Sequence, residues 1–239
     1  MLDVMESRTV GEYVTARPSR SRVFERFGID YCCGGKKPLA QACQERNVPL
    51  DQVLAALAES DAASDGPEID WSTRPMSELC DHIIERHHDY LRRELPRLDF
   101  MLRKVLRAHG QRHPWVEEAL RVFTAFRDEL TSHMHKEEEI LFPMIRKLEA
   151  AETMPAFHCG SISAPISVME MEHDDAGSAL EHLRELSNQY TPPEGACNTF
   201  RAVLAGLQEL ETDMHAHVHK ENSILFPAAA RREAQLLAR

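Results

Sequence analysis

Apolar residues recur at helical spacing over four long stretches of the chain, about 76–108, 115–149, 165–189 and 195–225. Nowhere do they alternate for long enough to predict a strand. Each stretch therefore predicts an amphipathic helix. The connections between them, HGQRHP, FHCGSISAP and TPPEG, are rich in residues that stop helices and reverse the chain. Four long helices with mostly short connections predict an all-α, up-down-up-down four-helix bundle. Residues 1–60 show shorter patterns, TVGEYVTARP, SRSRVFERFG, PLAQACQERN and LDQVLAALAES, interrupted by turn signals and by DYCCGGKK. They predict a small helical domain containing the paired cysteines. The Ser-, Asp-, Gly- and Pro-rich residues 61–75 read as a linker, which leaves 76–239 for the bundle.

Composition narrows the function classes. At 239 residues and 43% hydrophobic content the chain can bury a sizeable core. A net charge of −11, with no basic stripe, excludes a nucleic acid backbone as the expected partner. No apolar run approaches the ~18 residues of a spanning helix, and the N-terminus lacks a basic start followed by an apolar core. A membrane is not expected, and the cytoplasm is the expected location. Of the six cysteines, Cys32 and Cys33 are adjacent and the other four have no framework spacing, so reduced thiols are expected. Thirteen histidines are many for such a chain.

Those histidines are organised by a repeat. HMHKEEEILFP at 133–143 recurs as HVHKENSILFP at 217–227, an offset of 84 residues. Within one residue the same offset carries His88-Asp89 onto His173-Asp174. Each half is a helix with an early His-Asp followed by a helix with a late H-x-x-x-E, and two such hairpins complete one core. In a helix His133 and Glu137 share one face, as do His217 and Glu221. Antiparallel pairing then places His88 opposite His133 and Glu137, and His173 opposite His217 and Glu221. Six inward ligand-type groups, His88, His133, Glu137, His173, His217 and Glu221, are costly to bury without a cation. Two equivalent imidazole–carboxylate sets without cysteine suit a pair of iron or manganese ions bridged by the two glutamates. Zinc is the competing metal, although its H-E-x-x-H motif is absent.

At these residues, together with the N-terminal DYCCGGKKPLA, the chain resembles the hemerythrin-like di-iron proteins that repair iron-sulfur clusters after nitrosative and oxidative stress. The resemblance runs from about residue 9 to Pro227. It implies a four-helix bundle, a carboxylate-bridged, non-haem pair of iron ions held by the same six residues, reaction with nitric oxide or oxygen species, and damaged iron-sulfur proteins as clients. It also implies that the CC-containing module meets a partner, exchanges electrons or assists formation of a homodimer, with Cys32 and Cys33 as candidate redox thiols. Oxygen-carrying hemerythrins have a further ligand histidine four residues after the one matched by His173; here that position is Gly177. Its absence leaves a coordination position for a small ligand. A nitric oxide reductase or peroxidase-like enzyme, and a sensor or scavenger without turnover, are the alternatives.

The remaining candidates have plainer expectations. His135 and His219 recur in both halves but their phase turns them off the ligand face. His82, His182 and His215 are expected at the surface or in helix packing. Glu129 and Asp213, one turn before His133 and His217, could each orient an imidazole. Pro143 and Pro227 are expected to kink or end their helices.

Overall fold

The computed structural model describes residues 8–63 and 69–238, and among these the chain is helical throughout its regular structure, with one isolated bridge between Thr9 and Pro38. The middle of the expected linker, 64–68, lies outside the described residues. Helices α1 to α4 are Val10–Ala16, Ser21–Phe27, Leu39–Glu45 and Leu50–Ala63. They are followed by α5 (Met76–Ile83), α6 (Asp89–His109), α7 (Trp115–Lys136), α8 (Phe142–Ala150), α9 (Ser163–Leu186), α10 (Asn198–Lys220) and α11 (Phe226–Leu237). The breaks between α5 and α6, α7 and α8, and α10 and α11 are single wide π turns, Ile84–His88, Glu137–Leu141 and Glu221–Leu225.

The chain divides into two units: Asp81–Met144 with Cys159–Met214, and Met1–Cys80 with Ile145–His158 and His215–Arg239. The first contains the bundle helices α6, α7, α9 and α10 as far as Met214. On α6 the buried positions are Leu91, Leu95, Leu98, Leu102 and Val105, a repeat of four and three that keeps one stripe inward. Phe123, Phe126 and Leu130 of α7, Leu180 and Leu183 of α9, and Phe200, Val203 and Leu207 of α10 fill the same core. Polar ties confirm the alternating helix directions. His87, before α6, meets Asp213 late on α10, and Arg127 of α7 pairs with Asp99 of α6 at 2.8 Å.

In the other unit the N-terminal helices are closed locally. Thr9 and Glu12 form a reciprocal capping box at the start of α1, and Gly28, at φ 65°, ends α2 in the left-handed conformation that glycine tolerates. Arg20 grips both carboxylate oxygens of Asp61, at 2.9 and 2.7 Å, and so holds α4 against the turn before α2. The carboxylate of Glu149, on α8, accepts from the backbone of Met76 and Ser77 and caps α5 from a distance in sequence. Pro143 and Pro227 do not end their helices. Each follows a π turn, whose wider winding moves the carbonyl four residues back away from the proline ring, and helix resumes through α8 and α11.

Candidate metal centre

All six residues selected by the repeat are buried. Three of them, His88, Glu137 and Glu221, sit in the three π turns. A π turn inserts one residue into the helical winding, so the last helical carbonyl bonds five residues on: Glu137 C=O accepts from Phe142 N–H, and Glu221 C=O from Phe226 N–H. The turn re-aims one side chain without breaking the helix.

Within the bundle unit, His88, His133, Glu137 and His173 converge. Glu137 offers one oxygen to each neighbouring imidazole: Oε2 lies 3.3 Å from His88 Nε2, and Oε1 lies 3.3 Å from His133 Nε2. His173 Nε2 lies 3.1 Å from His133 Nε2. His88 also stacks on Phe142, with ring centroids 5.9 Å apart. In the other unit, His217 Nε2 lies 3.2 Å from Glu221 Oε1, the i, i+4 pairing expected on one helical face.

The outer nitrogens decide what the inner ones can do. Glu138 Oε1 lies 2.6 Å from His88 Nδ1, and the same carboxylate is forked by Arg92 Nη2 at 2.6 and 2.5 Å. Glu172 Oε2 lies 2.8 Å from His133 Nδ1, and Lys136 pairs with its other oxygen. Burial works to raise the Glu172 pKa, but Lys136 and His133 together hold it below the ordinary carboxylate value. An ionised carboxylate only accepts, so both Nδ1 atoms donate. In the neutral ring that tautomer leaves a lone pair at Nε2 of His88 and of His133, each 3.3 Å from an oxygen of Glu137. Lone pair facing carboxylate is repulsive in a site of low dielectric, and a cation between them reverses the sign. Ligands at ~2.1 Å with cis angles near 90° stand about 3 Å apart, which matches the 3.1–3.3 Å separations here. The donor set is imidazole and carboxylate, suited to iron, manganese or zinc.

Glu138 and Glu172 were not singled out by the sequence pattern. Glu138 lies inside the repeated motif, but its counterpart is Asn222, so the repeat does not mark it. Glu172 lies on another helix and carries no local signal. Asp213 does orient an imidazole, that of His87, with Nδ1 3.0 Å from Oδ2. Glu129 is exposed, as is His135. His82 packs edge-on to His87, and His182 lies at the surface 3.7 Å from Glu118.

His219 is off the ligand face, as its phase requires, but it is buried. Its Nδ1 faces the carbonyl of Tyr31 at 3.3 Å and its Nε2 faces Thr15 Oγ1 at 3.4 Å. Burial pushes its pKa down to about 4, against a smaller upward pull from the Tyr31 carbonyl. Three residues on, Asn222 Nδ2 lies 3.5 Å from the carbonyl of Cys32. The DYCC turn is thus held by the helix that carries His217 and Glu221. Cys32 is buried and Cys33 half-exposed, and all six cysteines are free thiols.

The family model of the hemerythrin HHE cation binding domain matches residues 80–229, and a second, described as a domain of unknown function (DUF542), matches residues 6–61. The chain is 41% identical over 226 residues to the iron-sulfur cluster repair protein YtfE of Pectobacterium atrosepticum, covering 95% of this chain and 98% of that protein. It is 39% identical over 227 residues to the protein of the same name from Yersinia pseudotuberculosis, again covering 95% of this chain and 98% of the relative. With both segments matched in order and near-complete coverage on both sides, this chain belongs to the hemerythrin-like family of iron-sulfur cluster repair proteins.

Proposed function

We propose that the chain holds a non-haem pair of iron ions through His88, His133, Glu137, His173, His217 and Glu221, and that it serves the repair of damaged iron-sulfur clusters under nitrosative and oxidative stress. The observation that carries this reading is the pair of imidazole nitrogens, His88 Nε2 and His133 Nε2, each 3.3 Å from a different oxygen of Glu137. One carboxylate reaching two imidazoles is the arrangement of a bridging ligand in helix-bundle di-metal sites. The sequence repeat assigns Glu221 and His217 the same roles as Glu137 and His133. The repair role is the one for which the Pectobacterium and Yersinia relatives are named.

Bound there, iron would supply Lewis acidity and one-electron chemistry toward small ligands such as nitric oxide. The chain's own contributions are separable. Glu138 and Glu172 fix the tautomer and ring orientation of His88 and His133, and Arg92 and Lys136 pair with those two carboxylates. Phe142, itself buried, stacks on His88. Gly177, one turn after His173 on α9, supplies no further imidazole, which supports an open position for an exogenous ligand. The clients we propose are cytoplasmic enzymes whose clusters have been damaged. The test is to add the purified, iron-loaded protein to an enzyme whose cluster has been damaged by nitric oxide. Recovery of client activity is expected, with no recovery from the Glu137→Ala variant. Equal recovery from both would contradict the reading.

A further inference from the structure

The DYCC turn brings together a second set of ligand-type atoms. Asp30, Cys32 and Cys33 offer one carboxylate oxygen and two sulfurs that all lie within 4.8 Å of one another. Cys32 Sγ is 3.8 Å from Cys33 Sγ and 3.2 Å from Asp30 Oδ1. A tetrahedral ion with metal–sulfur bonds of ~2.3 Å holds two sulfurs about 3.8 Å apart, and with a metal–oxygen bond of ~2.1 Å holds sulfur and oxygen about 3.6 Å apart. The sulfur bite therefore fits without movement, and the carboxylate needs to withdraw by only a few tenths of an ångström. A disulfide, by contrast, requires the sulfurs to close to ~2.05 Å.

The turn is also fixed in place. Asp30 Oδ1 accepts from the backbone N–H of Cys32 and Cys33, at 2.9 and 3.1 Å, and Oδ2 accepts from Gly34 N–H at 2.7 Å. His219 and Asn222 hold the carbonyls of Tyr31 and Cys32 from the other side. Gly35 closes the turn so tightly that a Cβ there would meet Tyr31 O at 2.5 Å, and its own carbonyl accepts from Gly11 N–H at 2.8 Å. Three ligand groups on a backbone pinned at both edges are preorganised for a cation. Asp30 is exposed and Cys33 half-exposed, so the fourth side of such an ion faces solvent.

We propose that Asp30, Cys32 and Cys33 form a metal site of their own, which takes one thiophilic divalent cation through two thiolates and one carboxylate and leaves a fourth position open. Entry of the ion displaces the two thiol protons to solvent, and with two thiolates and one carboxylate around a divalent cation the filled site carries a net charge of one minus. With three protein ligands and an exposed fourth position, the site is built for exchange of its ion rather than for permanent structural zinc, which closes all four. It is independent of the iron reading: its ligands are sulfur-based and belong to another segment.

Cobalt(II) distinguishes the two, because cobalt thiolates give an intense near-ultraviolet charge-transfer band that imidazole and carboxylate ligands do not. The full-length, reduced, iron-loaded protein is titrated with cobalt(II), with iron content and helical circular dichroism followed in every variant. The expected result is a thiolate band that saturates at one cobalt per chain. Cys33→Ser, at a half-exposed position where folding is least at risk, should lose at least half the band and bind about tenfold more weakly or worse, and Cys32→Ser likewise. Asp30→Asn, which keeps an acceptor for the turn, should keep the band but weaken binding about tenfold. No band from protein with intact thiols, an undiminished band in Cys33→Ser, or unchanged affinity in Asp30→Asn would each overturn the three-ligand site.

Discussion

In the first copy of H-x-H-K-E-x-x-I-L-F-P the third residue, His135, is exposed; in the second its counterpart, His219, is buried against Tyr31 and Thr15. The sixth residue diverges in the same sense. Glu138 turns its carboxylate onto His88 Nδ1, whereas Asn222 reaches the carbonyl of Cys32. The seventh, Glu139, is exposed, while Ser223 lies so close to α1 that a Cβ on Gly11 would meet its Oγ at 2.7 Å. The first and fifth positions, His and Glu, keep the same pairing in both copies, at 3.3 and 3.2 Å. One helical face is thus held constant for ligands. The adjoining face serves charged partners in one copy and the docked N-terminal turn in the other. A duplicated motif can acquire a second task on the faces that its first task leaves idle.

Variants at matched positions break or sharpen this comparison. The largest effect is expected on the shared face: Glu137→Ala and Glu221→Ala should each lose most of the bound metal, while His135→Ala keeps it, as read by metal analysis of the purified variants. Equal losses in all three would refute the division of faces. Next come the carboxylates behind the ligands. Glu138→Ala and Glu172→Ala should each weaken metal affinity by about 10–100-fold in a chelator competition, since each frees an imidazole to take the wrong tautomer.

On the idle face the copies should differ in stability rather than in metal. Asn222→Ala and His219→Leu are expected to lower unfolding free energy by about 1–3 kcal/mol, through lost hydrogen bonds to the Tyr31 and Cys32 carbonyls. His135→Leu should change it by less than ~0.5 kcal/mol, as at other exposed sites. Urea unfolding of the three variants side by side makes the comparison. The smallest effect is expected at Gly177→His: iron content near that of the unaltered protein, with nitric oxide bound a few-fold more weakly in titrations of the reduced form. Unchanged nitric oxide affinity at full iron content would contradict the open position.

Much of this was legible in the sequence, for identifiable reasons. The bundle helices were visible because burial on one stripe imposes a period, as in Leu91, Leu95, Leu98, Leu102 and Val105. The six candidate ligands were visible because a duplication repeats what must face inward. The π turns were not, since an extra residue in the winding leaves the apolar period almost unchanged; Pro143 and Pro227 follow two of them, but nothing after His88 marks the third. Glu172 was hidden because its partner lies 39 residues away. His219 was placed off the ligand face correctly, but what covers that face comes from residues near 15 and 31, which helical phase alone cannot see.

The most direct test of the central claim is iron quantification combined with Mössbauer spectroscopy on the purified, iron-loaded protein and on Glu137→Ala. Bridging by a carboxylate such as Glu137 predicts about two iron ions per chain in the unaltered protein, magnetically coupled, with loss of the coupled signal and most of the iron in the variant. A single uncoupled iron, or a full coupled pair surviving in Glu137→Ala, would contradict it.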